Sequence, residues 1–314
     1  MKIKNNVILA KRTTYKIGGP ADYFVSVKDS EELKQAFKFA DDNLLPTFIL
    51  AGGSNVLFSD EGYRGLIIKV DNKETNIDGN EITADAGVPI NDLVSQSIEN
   101  NLAGLEWAGG LPGTVGGAIR GNAGCFGGEI KDNIKEITVV TNNGDVKLYK
   151  NEDCQFGYRD SIFKHNNEII MSAIFKLRPG NKKSLKTIVF DHIKYRQMRY
   201  RLPSCGSVFK NIPVENIPEK AWEKFSAKGG SASGGRDKIK TDPFPLLPAA
   251  VLIDACGLVG KTIGGAMITK EHANIIHNFS NAKATDVFDL INLIKEKVNQ
   301  QFGIKLEEEV QLII

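Results

Sequence analysis

Hydrophobic and polar positions change rhythm several times along this chain. YFVSV (23–27) alternates and is rich in aromatic and β-branched residues, which predicts a strand. TFIL (47–50), LIIKV (66–70) and EITADAG (81–87) read as further strands. Between the first two, Asp29 and Glu32 suggest a capping box, and Leu33, Phe37 and Ala40 recur on one helical face. Pro89 suits a helical first turn, and Ile90, Leu93, Val94 and Ser97 or Ile98 mark the buried side of that helix. ITVVT (137–141) and VKLY (146–149) flank NNGD, a hairpin turn in which Asn-Gly supplies positive-φ residues. EIIMSAIFKL (168–177) is another strand, so residues 15–178 read as an α+β unit of many short strands.

The pattern shifts after Pro179-Gly180-Asn181. Residues 183–200 read as a long amphipathic helix with Leu185, Ile188, Ile193 and Met198 as core positions. Residues 212–246 contain KGGSASGGRDKIK, a low-complexity polar segment that can bury little apolar area. Pro248 opens a short helix, AAVLIDAC, which Gly257 can cap. Val287, Ile291, Ile294, Val298 and Phe302 form the stripe of a final helix, and EVQLII (309–314) closes the sequence as a strand.

A length of 314 residues implies two or three domains or subdomains. The 41% hydrophobic and 25% charged content is ordinary for a globular protein, and a net charge of +2 gives no footprint for nucleic acid. The four cysteines stand too far apart for paired metal ligands and read as reduced thiols; no metal site is expected. The first residues carry only a four-residue apolar run, too short for a signal segment, and LLPAAVLIDACGLVG is interrupted by Asp254. The expectation is a cytoplasmic protein without membrane insertion.

Three glycine-centred turns change the picture: KIGGPA (16–21), AGGSN (51–55) and GGLPGTVGGAIRGNAGCFGG (109–128). Glycine turns free backbone N–H groups to form anion-binding concavities, and several in one region suggest a diphosphate-bearing ligand. The long run lacks G-x-G-x-x-G spacing and a surrounding βαβ order, which excludes a Rossmann loop. ACGLVGKT (255–262) imitates a relaxed phosphate-binding P-loop. However, the preceding AAVLIDAC follows proline and reads as a helix, Gly264-Gly265 would weaken the required helix, and too little chain follows for a parallel sheet.

Side chains with possible chemistry stand elsewhere. GYRDSIF (157–163) offers Tyr158 and Arg159, whose guanidinium fork fits a carboxylate. SCGSVFKN (204–211) combines a glycine turn with hydroxyls, a thiol, a lysine and an amide; KEHANIIHN holds His272, and LEEEVQLI holds Glu309. Each has a plainer reading by itself, as a salt bridge, a helix cap or a solvated charge.

Together the collinear segments TTYKIGGPAD, AGGSNVLFSDEGYRGLII, GLEWAGGLPGTVGGAIRGNAGCFGGEI, GYRDSIF, PSCGSVFKN, IGGAMITKEHANIIHN and FGIKLEEEV resemble the UDP-N-acetylenolpyruvoylglucosamine reductase family, from about residue 13 to the end. The resemblance implies an α+β protein. Residues 1–180 would form a two-subdomain FAD-binding fold of the vanillyl-alcohol-oxidase type. Residues 181–314 would form an α+β substrate-binding domain, with an insert at about 212–246. It implies non-covalent FAD, NADPH as reductant, and conversion of a UDP-sugar enolpyruvyl ether to UDP-N-acetylmuramate for peptidoglycan, in a monomer.

By the same resemblance Gly18, Gly19, Gly52, Gly53, Ser54, Asn55, Val56, Leu57, Gly110, Pro112, Gly113, Thr114, Gly116, Gly117, Asn122, Ala123 and Gly124 bind the cofactor. Arg159 and Glu309 stabilise the enolate-like charge, and Ser207 donates the proton to carbon. Tyr158, Lys210, Asn211 and His272 bind substrate.

The sequence also departs from the family pattern. RQMRYRLPSCGS lacks the Lys-Gln-Pro common before the serine motif, and Cys125-Phe126 replaces a frequent Ala-Tyr pair. Cys205 reads as a small packed residue, since no base is evident beside it. Trp222, Phe225 or Phe244 of the insert is expected against the uridine.

Overall fold

The computed structural model describes residues 1–200, 202–227, 238–241 and 244–314. The chain forms two compact units, each discontinuous in sequence. The first comprises residues 1–7, 20–53 and 63–196; the second comprises 8–19, 54–62 and 197–314.

The first unit holds two larger sheets and two short two-stranded ones. One larger sheet contains the parallel strands Pro20–Val27, Tyr63–Val70 and Thr47–Leu50, in that order, with Lys4–Ile8 at the edge. Leu66, Ile67, Ile68 and Val70 are all buried, the near-continuous apolar run that a parallel strand covered on both faces requires. Helix α1, Ser30–Asp42, buries Leu33, Ala36, Phe37 and Ala40. Its cap departs from the expected reciprocal box: the Asp29 carboxylate accepts from Glu32 N, but Glu32 reaches Lys28 N instead of the cap residue's own N–H.

The other larger sheet is antiparallel, in the order Val146–Lys150, Ile134–Val140, Ile169–Lys176, Glu81–Asp85, Thr75–Asp78. The 134–150 hairpin forms as expected, although only Gly144 of its Asn-Gly pair has positive φ. The Glu81–Asp85 strand ends two residues early, and beyond it the carbonyls of Ala86 and Val88 accept from Gly116 N and Val115 N of the glycine run. Helix α2, Ile90–Glu99, buries all five expected positions with Pro89 as its N-cap.

Inside the glycine run lies a six-residue helix, α3 (Val115–Arg120), that the sequence pattern did not announce. Val115 and Ile119 are fully buried and anchor it, so tertiary packing overrides the low helix propensity of Gly116 and Gly117.

Helix α4, Lys182–Arg199, starts where expected but buries different residues. Leu185 is in the core, whereas Ile188 and Met198 are 42% and 59% exposed. The other buried residue is Arg196, whose Nε donates to Gly109 O at 2.9 Å. A charged head satisfied by backbone carbonyls displaces the apolar stripe there.

The second unit is knitted from three pieces. Tyr15 and Ile17 sit in its core. Strand Val56–Phe58 pairs in parallel with Gln311–Ile313, so the C-terminal strand forms, over a shorter span than expected. Helices α5 (Glu219–Ala227), α6 (Ala249–Ala255) and α7 (Ala284–Phe302) complete it, with strands Ala266–Ile268 and Ile276–Asn278 paired antiparallel. All five predicted stripe residues of α7 are buried. Gly257, at φ +69°, ends α6 as expected. ACGLVGKT therefore follows a helix, not a strand, and the P-loop reading fails. KGGSASGGRDKIK falls mostly on 228–237, outside the described residues.

Among the described residues no helix is long and apolar enough to cross a membrane, and no cluster of His, Cys, Asp or Glu has metal-binding geometry.

Candidate active site

The cofactor candidates divide between the units. Gly52, Gly53, Gly110, Pro112, Gly113, Thr114, Gly116, Gly117, Asn122, Ala123 and Gly124 lie in the first, and Gly18, Gly19, Ser54, Asn55, Val56 and Leu57 in the second. Tyr158 and Arg159 belong to the first; Ser207, Lys210, Asn211, His272 and Glu309 to the second.

In the first unit the AGGSN turn and the long run meet backbone to backbone. A Cβ on Gly52 would stand 2.7 Å from Gly113 Cα, closer than real Cβ contacts allow. Val115 N donates to Val88 O and Gly116 N to Ala86 O, fixing the entry to α3 against the strand end.

Into this cradle Thr114 places Oγ1, buried and without a hydrogen-bond partner among the described residues. Trp107 Nε1 and Glu129 Oε1 beside the run are in the same condition. A buried hydroxyl with no partner costs about 1–3 kcal/mol, so the cradle is built for a group that brings hydrogen-bond partners with it. A phosphate- or flavin-bearing cofactor fits that demand.

Asn122 has another task. It is fully buried; its Nδ2 donates to Gly157 O at 2.8 Å and its Oδ1 accepts from Lys131 N at 3.4 Å. Arg159 Nη2 donates to Gly124 O, and Ser161 Oγ donates to Arg120 O, both at 2.8 Å. The second half of the run is thus stitched to the tight 157–160 turn that presents Tyr158 and Arg159. Arg159 sits at φ +57°, a left-handed conformation that a long side chain adopts only when its surroundings enforce it. Its guanidinium lies 5.2 Å from the Tyr158 ring centroid.

In the second unit residues 207–210 run between two other segments. On one side Ser207 bridges Ile275, and Val208 N donates to Asn274 O at 2.8 Å. On the other, Phe209 bridges Glu308, and Glu309 N donates to Val208 O at 2.7 Å. Ser207 and Glu309 are therefore brought onto neighbouring segments joined by isolated bridges. Asn274, which sequence reasoning passed over, holds this arrangement from beneath. It is 2% exposed; its Oδ1 accepts from Phe209 N and its Nδ2 donates to Phe209 O. Its presence within KEHANIIHN was visible, but an asparagine that mimics a strand edge has no sequence signature.

Lys210 pairs with Glu307, and Asn211 Oδ1 accepts from Ala249 N at the start of α6. His272 Nδ1 accepts from Asn274 N at 3.3 Å, which fixes the neutral tautomer with its proton on Nε2. Burial, together with the positive charges of Lys240 and Arg199, lowers the His272 pKa to about 4. The Tyr200 ring stands 5.6 Å away.

Burial, with Glu309 adding to it, pushes the Cys205 thiol up to about 12, so it is a packed thiol and no nucleophile. Trp222, expected against the uridine, is buried among apolar side chains of the second unit's core. The Phe225 side chain lies outside the described residues, and Phe244 is half-buried.

The family comparisons agree with this division of labour. Residues 21–148 match the FAD binding domain model, and residues 197–313 match that of the UDP-N-acetylenolpyruvoylglucosamine reductase C-terminal domain. The UDP-N-acetylenolpyruvoylglucosamine reductase of Lactobacillus acidophilus is 36% identical over 318 residues, covering 99% of this chain and 95% of that protein. Its counterpart in Carboxydothermus hydrogenoformans is 37% identical, covering 99% and 94%. The crystal structure of UDP-N-acetylenolpyruvylglucosamine reductase from Thermus caldophilus superposes with a TM-score of 0.76 at 30% identity, covering 100% of both chains. With full-length identity of this order and both domain models matched, the chain belongs to the UDP-N-acetylenolpyruvoylglucosamine reductase family.

Proposed function

We propose that this protein is an FAD-dependent, NADPH-driven reductase that converts UDP-N-acetylglucosamine enolpyruvate to UDP-N-acetylmuramate. It thereby supplies peptidoglycan precursor for wall growth, cell shape and division in the cytoplasm. The observation that carries the reading is the buried Thr114 hydroxyl, without a hydrogen-bond partner among the described residues of the glycine cradle. Within the second unit, the bond from Glu309 N to Val208 O sets Glu309 beside Ser207. Residues 1–180 serve the flavin and residues 181–314 the substrate. The compact units cut the chain elsewhere because the 8–19 and 54–62 segments pack with the C-terminal part. The enzyme works as a monomer.

When bound, FAD supplies the hydride carrier between NADPH and the enolpyruvyl group. Thr114, with the backbone of Gly52, Gly53, Gly113, Gly116 and Gly117, holds its diphosphate. Gly18, Gly19, Ser54, Val56, Leu57, Gly110, Pro112, Ala123 and Gly124 also serve the cofactor. The chain's own residues then handle charge. As the enol ether is reduced, negative charge grows toward the substrate carboxylate. Arg159, with a fixed guanidinium fork, stabilises that charge without reorganising. Glu309 acts with Arg159 on that developing charge. Ser207 Oγ delivers the proton to the carbon bearing the carboxylate. Tyr158, Lys210, Asn211 and His272 orient the substrate, His272 through the proton its tautomer leaves on Nε2.

Purified protein should be yellow, bleach with NADPH anaerobically, and regain colour on adding UDP-N-acetylglucosamine enolpyruvate. A colourless protein, or reduced flavin indifferent to that substrate, would overturn the assignment. NADH in parallel fixes the reductant.

A further inference from the structure

The asparagine of AGGSN faces away from the role its motif suggests. Asn55 Nδ2 donates to Glu309 O at 2.9 Å, and Asn55 O accepts from Gln311 N at 3.1 Å. The carboxamide and the main chain of one residue therefore grip the peptide of Glu309 and the residue two further on. Immediately after Asn55 the strand Val56–Phe58 begins its parallel pairing with Gln311–Ile313, in register Val56 with Gln311. On its other side the Glu309 peptide is tied through its N–H to Val208 O at 2.7 Å, next to Ser207. Glu309 is thus clamped at both its N–H and its C=O, and the Asn55 carboxamide supplies the bond on the C=O side.

We infer that the Asn55 carboxamide is a positioning group for Glu309 and sets where the Glu309 carboxyl stands. The inference rests on the reading that Glu309 acts on the substrate. Catalytic groups lose much of their effect when displaced by an ångström, so the clamp has a kinetic consequence specific to the substrate step. Removing it should leave the flavin and its reaction with NADPH untouched. Asn55→Asp deletes the donor at nearly constant volume and serves where Asn55→Ala folds poorly.

The test is a double-mutant cycle on FAD-loaded enzyme: parent, Asn55→Ala (or Asn55→Asp), Glu309→Gln, and the double variant. Anaerobic stopped-flow follows reduction by NADPH and reoxidation by UDP-N-acetylglucosamine enolpyruvate separately, with FAD content and thermal unfolding as controls. Asn55→Ala should purify with parental FAD content and be reduced at the parental rate, yet reoxidise roughly 10–100-fold more slowly. In the Glu309→Gln background the same change should slow reoxidation less than about threefold, because the group it positions is already gone. Equal slowing in both backgrounds, or loss of FAD with slower NADPH reduction, overturns the inference and returns Asn55 to the cofactor. If Glu309→Gln alone leaves reoxidation unchanged, the role of Glu309 falls first, and this inference falls with it.

Discussion

The glycine cradle of the first unit and the bridged 207–210 segment of the second solve opposite problems. The cradle works by omission. Gly52 and Gly113 approach so closely that a methyl group cannot enter, and the buried Thr114 hydroxyl has no partner among the described residues. The bridged segment works by over-determination. The Ser207 and Glu309 backbones are bonded from several sides, and buried Asn274 satisfies both polar groups of Phe209. An open cradle of this kind leaves hydrogen-bonding capacity for a ligand; a stretch bonded on both sides fixes its backbone within the fold. The 157–160 turn joins the two patterns, since Asn122 binds Gly157 O and Gly124 O accepts from Arg159.

The largest effect should come from filling the cradle. Gly52→Val puts side-chain atoms where Gly113 backbone already stands, and the protein should purify without flavin, with a lowered melting temperature. A yellow, stable Gly52→Val protein would show that the close approach is incidental. Next, Glu309→Gln should slow reoxidation by substrate about 10²-fold or more while sparing reduction by NADPH. Thr114→Val sharpens the comparison more finely. It should weaken FAD binding about 5–100-fold, yet leave the FAD-free protein as stable or more so, because the hydroxyl it removes is unsatisfied there. Isothermal titration and melting of the stripped protein measure the two arms; equal stability loss in both forms would mean that the hydroxyl serves the fold.

The smallest effect concerns His272. Its folded pKa, about 4, lies below the ordinary 6.5, so between these values the unfolded chain binds a proton that the folded one refuses. Stability is complete above about pH 6.5 and falls as pH drops toward 4, by on the order of 2–3 kcal/mol. His272→Gln should flatten that part of the stability-versus-pH curve; an unchanged slope would place the shift elsewhere.

Much of this was legible in the sequence wherever one residue type has one reason to be where it is. The stripe of α7, the buried face of α2 and the helix before Gly257 follow from spacing alone. Clustered glycine identified the cradle. The misses share a cause: long-range backbone pairing has no local period. Arg196 displaced the expected apolar stripe of α4 because distant carbonyls of residues 107 and 109 await it. α3 forms among glycines because Val115 and Ile119 are buried. The roles of Asn55 and Asn274 depend on partners 254 and 65 positions away, beyond any motif's reach.

The most direct test of the account is Ser207→Ala, examined one half-reaction at a time. The account predicts a yellow protein whose flavin is reduced by NADPH at the parental rate, and whose reoxidation by UDP-N-acetylglucosamine enolpyruvate falls by about 10²–10⁴-fold, the usual size of a lost proton donor. Parental rates in both half-reactions would contradict it.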